Sequence, residues 1–102
     1  MPVGDVRTKT EQDFYLSRIR AILDQVLSDC QIYLFGSRAT NRHKDISDFD
    51  IGVLASRDID RDLGLARELL ETSNIPFTVD LVNLGAVSGE FARRVQREGI
   101  LL

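Results

Sequence analysis

Two carboxylates placed two positions apart on an otherwise apolar strand set the strictest limit on how this chain can fold. In the stretch YLFGSRATNRHKDISDFDIGVL, from Tyr33 to Leu54, an apolar run ends at Phe35 and a Gly36-Ser37 pair follows. After a polar connection, a second apolar run carries Asp48 and Asp50 on either side of Phe49. Strand side chains alternate between faces, so the two carboxylates point the same way, roughly 6.5 to 7 Å apart. With an effective dielectric of about 20, two bare charges at that separation repel by about 2.5 kcal/mol. The strand's other residues, Phe49, Ile51 and Val53, want burial. A divalent cation reverses the sign, and carboxylate and water ligands suit Mg²⁺, whose shell is commonly completed by substrate phosphates. The Gly36-Ser37 turn supplies a phosphate side: glycine lets the backbone approach closely, serine offers a hydroxyl, and a following helical turn points N–H groups at an anion.

The rest of the chain bounds what such a site can belong to. At 102 residues it is one domain, large enough for a single core and too small for a second lobe. A net charge of −3, from 13 basic and 16 acidic residues, argues against an extended nucleic-acid surface, which works through a basic stripe. No apolar run approaches the roughly 20 residues of a membrane span, and MPVGDVRTKT has no apolar secretion signal, so a cytoplasmic chain is expected. Cys30 is the sole cysteine, which excludes an internal disulfide and a cysteine-based zinc site; it reads as a reduced, half-buried thiol, with a reactive thiol as the alternative.

Periodicity places the elements. Residues 1–9 show none and read as a flexible lead-in to a single domain over 10–102. Thr8 and Glu11 have capping-box spacing, and Phe14, Tyr15, Ile19, Ile22, Leu23, Val26 and Leu27 recur at helical intervals, predicting a helix over about 11–28. A short strand, Ile32 to Phe35, is apolar on both faces, as a central strand is. The connection 38–47 is polar and basic, with Arg38, Arg42, His43 and Lys44. A second strand covers about 49–55; Asp58 can cap a helix over about 59–72, with Asp60 and Asp62 in structural roles at its positive end. A third strand runs over 77–84. Asp80 stands on it where burial is expected, so it needs a partner, either a metal or an arginine. Ser88 can cap a last helix that Gly99 closes, with Phe91, Ala92 and Val95 inward, Glu90 and Arg94 at i,i+4 spacing, and an apolar tail, 100–102. Its outer face, with Arg93, Arg94 and Arg97, is either solvated or a docking patch.

Gly36-Ser37, ten residues, then Asp48-Phe49-Asp50 resembles the signature of the DNA polymerase beta-like nucleotidyltransferases. The strings GSRAT and SDFDIGV are most similar to the minimal nucleotidyltransferases, small subunits commonly paired with HEPN-domain proteins in toxin–antitoxin systems. The chain departs from the family at Asn41, where glycine is common, and at Asp45 and Ile46, where a proline often stands. The resemblance implies an α+β fold, a small mixed, twisted sheet of three or four strands flanked by helices, with three aspartates on one side. It implies that Asp48 and Asp50 hold the metal that binds the β and γ phosphates of ATP, and that Asp80 joins them to hold a second Mg²⁺, which activates the attacking oxygen. Gly36 and Ser37 would contact the terminal phosphates. Arg38 is either a further phosphate ligand or a surface arginine, and His43 a weaker candidate for a nucleotide contact.

The acceptor must come from elsewhere, because 102 residues leave nothing with which to build a second lobe. The resemblance implies a HEPN-domain partner, often a toxin, neutralised by transfer of AMP to a tyrosine, by binding, or by both. Two alternatives stand beside it: a nucleotidyltransferase for a small molecule or RNA end, completed by a separate subunit or a homodimer, and a silent module that only binds its partner. Homo- or hetero-oligomers are compatible with either.

Overall fold

The computed structural model describes residues 3–39 and 48–102. Helix α1 (Val3–Asp24) leads into strand β1 (Gln31–Phe35), which ends in a single 3-10 turn (Gly36–Arg38). Strand β2 (Phe49–Leu54), helix α2 (Asp60–Glu71), strand β3 (Val79–Asn83), helix α3 (Gly89–Glu98) and the short strand β4 (Ile100–Leu101) follow. The strands form one sheet in the order β3-β2-β1-β4. β1 is antiparallel to β2 and β4, whereas β2 and β3 are parallel, with α2 as the crossover that a parallel pair needs. This is the expected α+β arrangement, and the apolar tail supplies its fourth strand.

Alternation along the strands divides the chain into two packed layers. Ile32 and Leu34 of β1, Phe49, Ile51 and Val53 of β2, and Leu81 of β3 face α1 and α2, where Ile19, Leu23, Leu63, Ala66 and Leu70 complete the larger core. Residues such as Phe49 and Ile51 are fully buried there, each contributing about 1.5–3 kcal/mol. Tyr33 and Leu84 point the other way and pack against Ala92 and Val95 of α3. β1 is therefore covered on both faces, as its composition predicts. Polar ties hold the layers in place: Arg18 donates to the Ser73 carbonyl at 2.9 Å, and Arg67 to that of Leu81 at 3.0 Å. Arg57 bonds both Asp29 and Asp62 at 2.7 Å, and it holds the Asp29 carboxyl well below the ordinary carboxylate range.

The helix ends show which local signals prevailed. Ser88 Oγ accepts the Phe91 amide at 3.2 Å, so the predicted cap of α3 is used. α2 has Ile59 at its cap position, and Asp58, one residue further out, accepts the Asp60 amide at 3.0 Å in a turn that leads into the helix. α1 instead begins at Val3, ahead of the Thr8–Glu11 pair, and ends at Asp24 rather than Ser28. Residues 5–10 contain neither glycine nor proline, so continuing the helix through them breaks no hydrogen bond. At the other end, Gln25 and Val26 donate to Ile22 and Leu23 in tighter i→i−3 bonds, which close the helix early while Leu27 stays buried. Arg94 pairs with Glu98 at 3.0 Å, not with Glu90. Glu90 lies in the first turn of α3, where the amide ends already favour its charge. Cys30 is half-buried, and burial raises its thiol pKa, in line with an inert thiol.

Gly99 joins α3 to β4 where two backbones cross. A Cβ there would lie 2.5 Å from the Val95 carbonyl oxygen and 2.9 Å from that of Leu34, and neither is the end of a flexible side chain. Gly99→Ala should therefore destabilise the protein by about 1–3 kcal/mol, by prising β4 from β1. Chemical denaturation would measure this, and an unchanged midpoint would show that β4 is not held by this crossing.

Candidate active site

Register brings the site together. β2 and β3 pair in parallel with Asp50 opposite Asp80, and β1 pairs with β2 so that Phe35 lies opposite Asp50. Because Phe49 turns into the core beneath α1 and α2, Asp50 faces the α3 side of the sheet, and Asp48, one residue beyond Phe49, precedes the strand. The 3-10 turn begins immediately after Phe35 and so stands over the same end of the sheet. Gly36 has a φ of +74°, a conformation that side chains other than glycine rarely adopt. Its bare Cα faces Asp50: an added Cβ would overlap the Asp50 Oδ2 atom. Gly36 is thus required twice, by its backbone angle and by the carboxylate beside it.

The electrostatics follow from that crowding. Asp50 is partly buried, and desolvation first, then the charges of Asp80 and Asp48, raise its pKa above the ordinary carboxylate value. These three acids are thus electrostatic neighbours, yet no three acidic, histidine or cysteine side chains among the described residues are gathered tightly enough to make a ready metal cage. The donor set fits a hard divalent cation: it is all oxygen, it carries like charges that repel, and one member already holds its proton more firmly than usual.

Asp80 departs from expectation in one respect. It is exposed, not buried, because β3 is an edge strand and α3 covers the other end of this face, around Tyr33 and Leu84. Among the described residues no ion pair involves it, so the arginine alternative finds no support there. Asp60 and Asp62 stay structural, accepting from Asn83 at 3.1 Å and pairing with Arg57.

The Arg38 side chain packs against two aromatic rings. Its side chain is 5% exposed, and its guanidinium lies 4.0 Å from the Phe49 ring centroid and 4.9 Å from that of Phe77, within the α1/α2 layer. One N–H group donates to Gln12 Oε1 of α1 at 3.3 Å. Desolvated cation–π contacts of this kind reach about 2 kcal/mol. The aromatic cradle was not foreseen, since Gln12 and Phe77 are far away in sequence. The expectations on residues 40–47, including the roles of Asn41 and His43, lie outside the described residues.

A cleft of about 410 Å³ opens beside the turn, bounded by Phe35, Gly36, Ser37, Phe91, Arg94 and Gly99. Phe91, read from sequence as an inward residue, is 37% exposed and meets Phe35 edge-on at 5.7 Å on this wall.

Comparison with known proteins agrees with this fold. The sequence profile of the family "Polymerase beta, Nucleotidyltransferase" matches residues 18–102. The probable protein adenylyltransferase MntA of Haemophilus influenzae is 28% identical over 91 residues, covering 85% of this chain and 77% of that protein. A toxin–antitoxin structure with AMP-PNP superposes with a TM-score of 0.67 at 32% identity, covering 83% of this chain and 69% of the other. A mutant form of the MntA-HpeT toxin–antitoxin gives 0.64 at 31% identity, with the same coverage. A minimal nucleotidyltransferase, 23% identical, shares the fold with a TM-score of 0.63 over 88% of this chain and 94% of its own.

The raised affinity of Asp50 for its proton has a definite sign. The unfolded chain ionises this group at a lower pH than the folded protein does. Metal-free stability should therefore fall as pH rises from the ordinary carboxylate value through the raised one. Asp50→Asn removes that loss, so in EDTA at neutral pH the variant should melt at or above the wild-type temperature, with a flatter pH profile. Melting well below wild type would show that the ionised carboxylate holds the fold.

Proposed function

The chain belongs to the polymerase beta nucleotidyltransferase family, and on that premise we propose that it is the antitoxin of a toxin–antitoxin pair, transferring AMP from ATP to a tyrosine of a HEPN-domain partner and binding that partner. The observation that carries the catalytic part is the meeting of Gly36, Asp50 and Asp80 at one end of the sheet, set by the register of three strands. The acceptor part rests on likeness to a protein named as an adenylyltransferase and to toxin–antitoxin structures, one of them with AMP-PNP.

Asp48, Asp50 and Asp80 would hold two Mg²⁺ ions, which would supply charge neutralisation for the phosphates and activation of the attacking oxygen. Gly36 allows the backbone to approach the terminal phosphates, and Ser37 offers a hydroxyl to the same groups. The partner's phenol gives up its proton to solvent, and its oxygen bonds to the α-phosphorus as the bond to the bridging oxygen of pyrophosphate breaks, so pyrophosphate leaves. That in-line exchange is a matter of position and charge more than of covalent chemistry.

The test follows the label. With Mg²⁺, α-labelled ATP and the co-purified partner, label should pass to the partner and not to free RNA. Asp50→Asn should lower the transfer by a factor of about 10² or more, equivalent to about 2.7 kcal/mol of barrier. Label appearing mainly on RNA, or transfer that survives Asp50→Asn, would contradict the reading.

A further inference from the structure

The 3-10 turn that carries Gly36 and Ser37 consists of three residues, closed by the Ala39 amide on the Gly36 carbonyl at 3.1 Å. A turn this short takes its position from the side chains it sends into neighbouring elements as well as from its own hydrogen bond. Arg38, its last residue, reaches the segments on which the carboxylates stand. Its guanidinium lies 4.0 Å from the centroid of Phe49, which separates Asp48 from Asp50, and 4.9 Å from that of Phe77, in the segment that leads to Asp80. Those two rings meet edge-on at 5.6 Å, and the Phe49 amide donates to the Thr78 carbonyl at 3.0 Å, so the two segments are already joined beneath the cation. Gln12 fixes the guanidinium from α1 at 3.3 Å.

We propose that Arg38 is a positioning residue: its stacked guanidinium clamps the Gly36-Ser37 turn in register with Asp48, Asp50 and Asp80. The proposal rests on the nucleotide site described above but does not need Arg38 to touch the nucleotide. The clamp depends on shape as much as on charge. A guanidinium is flat, so it lies over rings and donates in its own plane, whereas a lysine ammonium is a compact point charge that cannot do both. Arg38→Lys therefore separates this role from direct phosphate binding, which a lysine retains.

Two measurements decide it. In ¹H–¹⁵N spectra of the protein in EDTA, Arg38→Lys should shift or broaden the Gly36, Ser37 and Asp50 amides while leaving Ala92 and Val95 of α3 in place. By calorimetric titration, the same variant should bind MgATP about tenfold or more weakly than wild type, as when residues that orient a ligand set are lost. Phe77→Leu, which removes one stacked ring and keeps Arg38, should cause a smaller change in the same amides and so serves if Arg38→Lys does not fold. Unchanged Gly36 and Ser37 amides in the variant that folds would overturn the clamp. So would wild-type MgATP affinity in Arg38→Lys together with its loss in Arg38→Met, the pattern of a direct phosphate contact. Failure of wild-type protein to bind MgATP would count against the nucleotide site, and the amide spectra would still decide the clamp.

Discussion

Asp50 can stand where it does because Gly36, whose Cα faces its carboxylate, has no side chain. The close approach of the Gly36 backbone to the Asp50 carboxylate fixes the distance between the turn and the strand, and the other parts of the site are arranged around that contact. A carboxylate pressed against a backbone, partly buried and flanked by two more acids, is a poor way to stabilise a fold. It is a good way to prepare for a cation and a phosphate. That electrostatic cost is offset by the larger core on the opposite face, where Phe49, Ile51 and Val53 of the same strand are completely buried.

The sheet thus separates two tasks. Its α1/α2 face supplies most of the packing, and its α3 face carries a smaller core centred on Tyr33, Leu84, Ala92 and Val95, with Asp50 partly buried and Asp80 exposed beyond it. Arg38 crosses this division. It leaves a turn that belongs to the site and buries its charge in the stabilising layer, so the geometry of the site is tied to the integrity of the core. Such an arrangement gives precision without adding a group to the reaction centre itself.

The turn at Gly36 and the strand carrying Asp50 were legible in the sequence because strand alternation and turn chemistry are local. The place of Asp80 was legible only in part. Its strand could be read from the apolar alternation of Phe77, Val79 and Leu81, but the parallel register that sets it beside Asp50 is a long-range fact, anticipated by family resemblance and not by spacing. Its exposure followed from β3 being an edge strand, which no local pattern states. Arg38 was the hardest to place. Its destination depends on Gln12 and Phe77, so a reading confined to neighbouring residues sees only an arginine after a glycine-serine pair. α1 shows the opposite hazard: a good local start signal at Thr8 had no effect where nothing stopped the helix from beginning earlier.

The central claim is that turn and carboxylates form a single receptor for a metal-bound triphosphate. The most direct measurement is the melting temperature of the wild-type protein with millimolar ATP, once with Mg²⁺ and once with EDTA. A ligand that binds only the folded state raises the melting temperature by mass action. The account predicts a rise with Mg²⁺ that EDTA abolishes, and coincident melting curves under the two conditions would contradict it.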